Sequence, residues 1–128
     1  MKIFLGASGP YDKERIENIR SILQKSGTVF VGPADIDNYE YGKMKASEFM
    51  KAIFEEIKKA DECVFYYSSK STGMGIETGY AKALGKKIIV LLPEKTSISE
   101  ALEGISDKIV TFKKVEELKE KLKKELTC

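Results

Sequence analysis

The stretch "ECVFYYSSKSTGMGIETGYAKALGKKIIVLLP" (residues 62–93) decides the fold class of this chain. Apolar runs at 62–68 and 86–93 have the length of buried strands. Between them, small and polar residues lead into a helical pattern that ends at Gly85. A strand, a helix and a second strand in this order predict a crossover unit with two parallel strands.

The rest of the chain repeats this alternation. Further strands are predicted at "KIFLG" (2–6), "TVFV" (28–31) and "KIVTF" (108–112). Helices are predicted at 12–26, ending at Gly27 as a C-cap, at 43–59, near 98–104 and from about 114. The pattern predicts an α/β protein, a flavodoxin- or Rossmann-like three-layer sandwich whose five-stranded parallel sheet has the order 2-1-3-4-5. Without repeats or linkers, residues 1–128 are expected to form a single domain.

Composition excludes several classes of function. The 22 basic and 20 acidic residues leave a net charge of +2, which gives no electrostatic argument for binding nucleic acid. No apolar run approaches the ~18 residues of a membrane span. The chain has no histidine, and its two cysteines, Cys63 and Cys128, form no metal-binding pattern. We expect a cytoplasmic protein without a metal or a cofactor.

Two glycine-containing segments should lie at the edge of the sheet where ligands bind, because the carboxyl ends of parallel strands meet there. The first is "GASG" (6–9), which favours a ligand cradle and a tight turn about equally. The second, 68–79, supplies serine and threonine hydroxyls and the amides of Gly73 and Gly75. A long polar loop at 32–42 follows the second strand.

Glu77, between Gly75 and Gly79, is the candidate reactive group of the second segment. We predict it in the first turn of a helix, where the helix dipole would hold its pKa at or below about 4.3. An ionised carboxylate among small residues is a plausible nucleophile toward a sugar carbon. The glycines around it would let a sugar and a phosphate approach the backbone. Taken alone, Glu77 is more simply explained as a residue that stabilises the start of the helix.

A resemblance to a known family favours a functional role for Glu77 over a helix-stabilising one. "AD" (60–61), a strand, "STGMGIETGYAKALGK" (71–86) and an apolar strand together resemble the nucleoside 2-deoxyribosyltransferases. The likeness is greatest to the 2'-deoxynucleoside 5'-phosphate N-hydrolases in that family. The opening "MKIFLGAS" is similar to the family's "KIYFAGS", with Phe4 in place of the tyrosine and Ser8 matching the serine.

The resemblance implies a catalytic role for Glu77, as the carboxylate that attacks the anomeric carbon and forms a covalent deoxyribosyl intermediate. Ser71 matches a phosphate-binding serine, and Ser99 resembles a serine that reaches the 5'-phosphate from a neighbouring subunit. The resemblance thus implies a homodimer that acts on a deoxynucleoside or its 5'-monophosphate. The substrate-binding residues expected are Phe4, Gly6, Ser8, Gly9, Ser71, Gly73, Gly75 and Ser99.

The chain also departs from the family pattern. The family's second carboxylate falls at Ile53, on the apolar stripe of its helix, and Asp35, Asp37 or Glu48 could replace it. An arginine after the first strand is missing, with Lys13 or Arg15 as substitutes. Asp61 is expected to be structural.

Three hypotheses therefore remain open. The first is cleavage or transfer of the N-glycosidic bond of a deoxynucleoside or deoxynucleotide. The second is a nucleotide-binding module with little or no catalysis, because Ile53 replaces a carboxylate. The third, by analogy of fold alone, is a Rossmann-like domain that cleaves NAD or another nucleotide with a glutamate.

Overall fold

A computed structural model describes residues 1–9, 12–36 and 43–126 of the chain. Its strands are β1 (Lys2–Ala7), β2 (Thr28–Gly32), β3 (Glu62–Tyr66), β4 (Ile88–Pro93) and β5 (Lys108–Phe112). Its helices are α1 (Lys13–Leu23), α2 (Ala46–Lys59), α3 (Thr72–Ala83), α4 (Glu100–Ile105) and α5 (Leu118–Lys121), with a 3₁₀ turn at Val115–Glu117. No helix in this described part is long and apolar enough to cross a membrane.

The five strands form one parallel sheet in the order β2-β1-β3-β4-β5. This arrangement confirms the predicted fold class and strand order. At the carboxyl ends of the central strands, Gly6 of β1 pairs with Gly32 of β2 on one side and with Phe65 of β3 on the other. These three residues mark the edge of the sheet at which ligands bind in such folds.

Alternate side chains of the strands bury two separate apolar layers, one on each face of the sheet. Ile3 and Leu5 of β1 pack on the face covered by α1 and α5, and Phe4 packs on the face covered by α2, α3 and α4. Both faces of the parallel sheet are therefore covered, which explains why its central strands are apolar almost throughout. Each fully buried leucine or isoleucine contributes about 2 kcal/mol to the free energy of unfolding.

Helix α3 has well-defined ends. Ser71 is its N-cap, and the Ser71 hydroxyl oxygen accepts a hydrogen bond from the amide of Met74 at 3.3 Å. At the other end Gly85 adopts a left-handed conformation with φ of 76°, as predicted for the residue that stops this helix. The Gly85 and Lys86 amides donate back to Lys82 and Ala81, which closes the last turn.

The connection between α1 and β2 differs from the prediction. Helix α1 ends at Leu23 rather than near residue 26, and Gly27 does not act as its left-handed C-cap. A side chain at Gly27 would instead place its Cβ 2.3 Å from the carbonyl oxygen of Met1. Glycine is required there because the chain passes against the start of β1.

The second helix, α2, is also shorter than predicted and begins at Ala46.

Candidate active site

The candidate site lies between the carboxyl ends of β1 and β3. The chain leaves β1 toward the α1 face of the sheet and leaves β3 toward the α3 face, so a crevice opens between the two strands. Glu77 extends into this region from α3, since long helical side chains point back toward the helix N-terminus. Its Oε1 atom is 3.1 Å from the point where a Cβ atom on Gly6 would stand.

Gly6 makes this approach possible. The same Cβ atom would lie 2.8 Å from the Phe65 ring, closer than a real contact allows. A side chain at Gly6 would therefore displace either the Phe65 ring or the Glu77 carboxyl group. Gly6, predicted to bind substrate, has a direct structural role in placing Glu77 at the end of β1.

Among the described residues, Glu77 has no charge partner. The side chain is partly buried, and no hydrogen bond or ion pair joins its carboxyl group to another described residue. Burial away from water raises the pKa of Glu77 to about 7. A carboxyl group with this pKa exchanges its proton readily near neutral pH.

This finding corrects the prediction for Glu77. Helix α3 begins at Thr72, so Glu77 lies in its second turn, and no acidic residue occupies the first turn. The effect of a helix dipole falls off within the first turn. Loss of solvation by contact with β1 then outweighs the dipole, and the pKa is raised instead of held at or below about 4.3.

The glycines near Glu77 differ in what they do. A Cβ atom on Gly73 would stand 3.8 Å from the Ser71 hydroxyl oxygen and 3.9 Å from Oε2 of Glu77, so Gly73 keeps the space between these groups open. Gly75 and Gly79 have no described atom within 4 Å of such a position. Residues two positions from Glu77 face away from it on a helix, and that these two glycines let a sugar and a phosphate approach the backbone stays a prediction.

Ser8 and Gly9 follow β1 at the same edge of the sheet. Ser8 is fully buried, and its hydroxyl oxygen accepts hydrogen bonds from the amides of Ser68 at 2.8 Å and Ser69 at 3.1 Å. Ser8 therefore joins the end of β1 to the loop that precedes α3. Gly9 is exposed, and no described atom lies within 4 Å of its Cβ position.

Phe4 and Ile53, two departures from the family pattern, lie together beneath the edge of the sheet. Both are buried, and the Phe4 ring lies near the rings of Phe30 and Phe65. A Cβ atom on Gly32 would be 2.6 Å from Cδ1 of Ile53 and 3.5 Å from the Phe4 ring. Ile53 thus packs directly on β2 in the apolar core, as the helical stripe predicted, and Phe4 presents no exposed surface to a ligand.

The two serines that the family resemblance assigns to phosphate lie in one cavity. Ser71 caps α3, and Ser99 caps α4 by accepting a hydrogen bond from the amide of Leu102 at 3.3 Å. Both line a cavity of about 340 Å³ between these helices. Ser99 therefore lies beside Ser71 of its own chain. That it reaches the site of a neighbouring subunit stays a prediction.

Sequence reasoning missed two residues of this cavity, Tyr67 and Lys70. Tyr67 follows β3 and is only 3% exposed, and its hydroxyl group has no hydrogen-bond partner in the described part of the chain. Lys70 is exposed in the loop before α3. The signal available in the sequence was the pair "YY" (66–67) at the end of an apolar run, just before the polar loop.

The acids considered as replacements for the second carboxylate are not equivalent. Asp35 binds both terminal nitrogens of Arg20, at 2.8 and 2.9 Å, and also accepts a hydrogen bond from the Val31 amide. Partial burial acts to raise the pKa of Asp35, but these hydrogen bonds outweigh it and the pKa is lowered. Glu48 is exposed in the first turn of α2. Asp37 lies outside the described residues, as does most of the loop at 32–42.

The remaining charged candidates serve other contacts. Arg15 donates a hydrogen bond to the Tyr66 hydroxyl at 3.2 Å, and its guanidinium lies 5.9 Å from the centre of the Phe112 ring. This places Arg15 on the α1 face of the sheet, opposite to α3; Lys13 is exposed at the start of α1. Asp61 accepts a hydrogen bond from the Lys2 amide at 2.8 Å, at the amino end of the sheet, which confirms its structural role.

The described residues contain no group of three or more histidine, cysteine, aspartate or glutamate side chains that could hold a metal ion. The free cysteine Cys63 is buried, and burial raises the pKa of its thiol to about 12. Within the described ranges, the chemistry available at the crevice is therefore that of one carboxyl group, several hydroxyl groups and the positive end of a helix.

Comparisons with known proteins found a matching family and several solved structures with a similar fold. The sequence model of the nucleoside 2-deoxyribosyltransferase family matches residues 3–123. The fold is similar to that of a CMP N-glycosidase from Clostridium botulinum, with 30% sequence identity and a TM-score of 0.74 over 98% of this chain and 100% of that one. Comparison with curated protein sequences found no match.

Two further solved structures share the fold at lower identity. One is a 2-deoxyribosyltransferase from Bacillus psychrosaccharolyticus, with 22% identity and a TM-score of 0.71 over 93% of this chain and 90% of that one. The other is a conserved protein from Enterococcus faecalis, with 15% identity and a TM-score of 0.72 over 98% and 100% of the two chains. The family match spans nearly the whole sequence, and the chain therefore belongs to the nucleoside 2-deoxyribosyltransferase family, whose members cleave or transfer the N-glycosidic bonds of nucleosides.

Proposed function

We propose that this protein cleaves the N-glycosidic bond of a 2'-deoxynucleoside 5'-monophosphate, with Glu77 as the nucleophile. The observation that carries the proposal is the position of the Glu77 carboxyl group. This carboxyl group has no partner among the described residues, and it lies at the crevice beside Gly6. Between it and the Ser71 hydroxyl there is only the open space over Gly73. One nucleotide could contact both side chains, because little more than the sugar ring separates its anomeric carbon from its 5'-phosphate.

The reaction proceeds in two displacements at the anomeric carbon. A Glu77 oxygen forms a bond to that carbon while the bond to the base nitrogen breaks, and the electron pair leaves with the base, which takes a proton. Water then attacks the glycosyl ester, gives up a proton and releases deoxyribose 5-phosphate, which regenerates the carboxylate. If a second base attacks instead of water, the same intermediate leads to transfer.

Two observations support a nucleoside monophosphate as the substrate. The hydroxyl groups of Ser71 and Ser99 line one cavity at the N-terminus of α3, and such helix ends favour anions. In addition, the Clostridium botulinum protein with 30% identity is described as acting on CMP, a nucleoside 5'-monophosphate. Because that substrate is a ribonucleotide, the sugar preference has to be tested together with the phosphate.

The direct experiment incubates the protein with each deoxynucleoside and ribonucleoside 5'-monophosphate and with the matching free nucleosides. Release of the base is followed by chromatography. We expect release from a deoxynucleoside monophosphate, and a loss of several orders of magnitude in the Glu77→Gln variant. A substrate with fluorine at the 2' position slows the second step, so mass spectrometry should then detect a covalent adduct on Glu77.

Glu14→Gln is the matched control, since it makes the same chemical change at an exposed position of α1, a helix on the opposite face of the sheet. Base release by Glu77→Gln at the rate of the unmodified protein would remove Glu77 as the nucleophile. Failure of the unmodified protein to release any base would remove the hydrolase function altogether. Addition of an acceptor base to the same assay separates transfer from hydrolysis.

A nucleotide-binding module with little catalysis is the second candidate, and one observation favours it. Ile53 occupies the position of the family's second carboxylate and is buried in the apolar core, so it supplies no acid. This function predicts that nucleotides raise the melting temperature without being cleaved. Glu77→Gln would then leave the stabilisation intact.

We also propose that the protein is a homodimer through the outer face of α3. The exposed large hydrophobic residues of the described chain are Ile76 on this helix and Leu84 at its C-cap, at 48% and 42% exposure. No described atom lies near the Cβ positions of Gly75 and Gly79, so another helix could approach closely there.

Sedimentation should show a dimer, and Ile76→Glu should yield monomers. Lys25→Glu, on the other side of the sheet, is the control; a monomeric unmodified protein would refute the dimer.

A further inference from the structure

Two adjacent tyrosines, the last residue of β3 and the residue after it, differ in the hydrogen bonding of their hydroxyl groups. Tyr66 and Tyr67 are almost equally buried, at 4% and 3% exposure, and they point to opposite faces of the sheet. The Tyr66 hydroxyl accepts a hydrogen bond from Arg15 at 3.2 Å, whereas the buried Tyr67 hydroxyl has no partner among the described residues. A phenylalanine would suit the position of Tyr67 better if packing were its only purpose, because a buried hydroxyl without a partner destabilises the fold.

Tyr67, which carries this buried hydroxyl, is one of the residues that line the cavity between α3 and α4. The polar side chains that line this cavity, of about 340 Å³, are Tyr67, Lys70, Ser71, Thr72 and Ser99. Each can donate a hydrogen bond, and Lys70 also carries a positive charge. No carboxylate among the described residues lines the cavity. The N-terminal end of α3, a helix of 12 residues, adds a positive partial charge.

The donors in this cavity remain available to a ligand. The hydroxyl oxygens of Ser71 and Ser99 accept hydrogen bonds from the Met74 and Leu102 amides, which leaves each hydroxyl proton free to be donated outward. Several hydroxyl donors and a positive charge, with no carboxylate from the described residues, fit a phosphate group, whose oxygens mainly accept hydrogen bonds at neutral pH.

We propose that Tyr67 is a further substrate-binding residue, which donates its hydroxyl proton to an oxygen of the 5'-phosphate held in the cavity beside Ser71. This assignment rests on the proposed function of the site and extends it to the residue that directly follows β3, outside the glycine-containing segment. The phosphate supplies the partner that the hydroxyl lacks in the free protein. Tyr67 therefore contributes to the preference for nucleotides over nucleosides.

The test compares Tyr67→Phe with Tyr66→Phe, which makes the identical change at the neighbouring, equally buried position. Dissociation constants are measured by calorimetry for a deoxynucleoside monophosphate, for the matching nucleoside and for inorganic phosphate, with each tyrosine variant combined with Glu77→Gln so that the nucleotide is not cleaved. We expect Tyr67→Phe to weaken binding of the nucleotide and of phosphate about tenfold and to leave binding of the nucleoside unchanged. In the turnover assay KM should rise by a similar factor, with kcat within about twofold.

Thermal unfolding separates this role from a structural one. Removal of an unpartnered hydroxyl should leave the melting temperature of Tyr67→Phe unchanged or higher, while Tyr66→Phe loses its bond to Arg15 and should melt earlier with its affinity for nucleotide unchanged. Unchanged nucleotide binding in Tyr67→Phe, or equal weakening for nucleotide and nucleoside, would overturn the assignment. Binding is measured without turnover, so an absence of catalysis would contradict the proposed function and leave the test of Tyr67 intact.

Discussion

Two opposing influences act on the carboxyl group of Glu77, and their balance sets its chemistry. The dipole of α3 favours the charged form, and contact with β1 removes the water that would solvate this form. The second influence is larger, because burial raises the pKa of Glu77 to about 7. One pKa unit corresponds to about 1.4 kcal/mol, so the crevice holds Glu77 in a state that is costly for the folded protein and useful for reactivity.

At the residue scale, the raised pKa predicts the pH dependence of the reaction. Only the deprotonated carboxylate can attack the sugar, so kcat/KM should increase as the pH rises through about 7 and then level off. The measurement is a pH–rate profile between about pH 5 and about pH 9 in buffers of constant ionic strength. A rate that instead falls with increasing pH over this range would assign Glu77 the role of a proton donor.

The same group should make stability depend on pH, since the pKa of Glu77 is about 7 in the folded protein and 4.5 as the ordinary value. The folded state binds more protons than the unfolded state between these two values, so stability falls as the pH rises through this interval. Glu77→Gln removes the effect. It should be more stable than the unmodified protein above about pH 7, by at most about 3 kcal/mol, and similar to it below about pH 4.5.

Urea unfolding of both proteins at the two ends of this interval checks the prediction. Glu48→Gln, at an exposed position of α2, serves as the control for removal of a carboxylate. The contrary outcome is a difference in the free energy of unfolding between Glu77→Gln and the unmodified protein that is equal at the two pH values. In that case the carboxyl group is solvated, and the apolar contact with β1 does not hold.

At the scale of elements, the strands were predictable and the start of α3 was not. Apolar runs between turn residues located all five strands, and the right-handed connection of parallel strands restricted their order. Gly73 and Gly75 obscured the first turn of α3, although the N-cap Ser71 and the helical spacing of the buried residues Met74, Thr78 and Ala81 were visible in the sequence. The pKa of Glu77 could not be predicted, because it depends on contact between α3 and a strand far away in the sequence.

The packing of α2 on the sheet predicts the result of restoring a carboxylate at Ile53. This side chain is 1% exposed, with Cδ1 only 2.6 Å from a Cβ position on Gly32. Ile53→Asp would bury a charge among apolar groups and should reduce the free energy of unfolding by about 3–5 kcal/mol without increasing activity. Ile53→Val, with a loss of about 1 kcal/mol, is the control. A stable, more active Ile53→Asp protein would show that α2 can turn this position into the crevice.

For the whole molecule, the strand order has a chemical consequence. Because β1 and β3 are neighbours whose helices leave toward opposite faces, a crevice is expected between their carboxyl ends, and α3 directs Glu77 toward Gly6. Ser71 and Tyr67 reach the same region through the loop between β3 and α3, and Ser99 through the start of α4. Every group proposed to act on the nucleotide thus comes from one edge of one sheet, and a single chain contains all of them.

This arrangement predicts how two defective subunits behave when they are combined in the proposed dimer. One chain carries Ser99→Ala and the other Glu77→Gln, and two different affinity tags isolate the mixed dimer. Ser99 lines the cavity of its own Ser71, so each site should keep its own defect, and activity should not exceed half that of the Ser99→Ala homodimer, with KM raised to the same extent. If Ser99 instead served the neighbouring subunit, the site that retains Glu77 would be complete, and about half of the activity of the unmodified dimer would return.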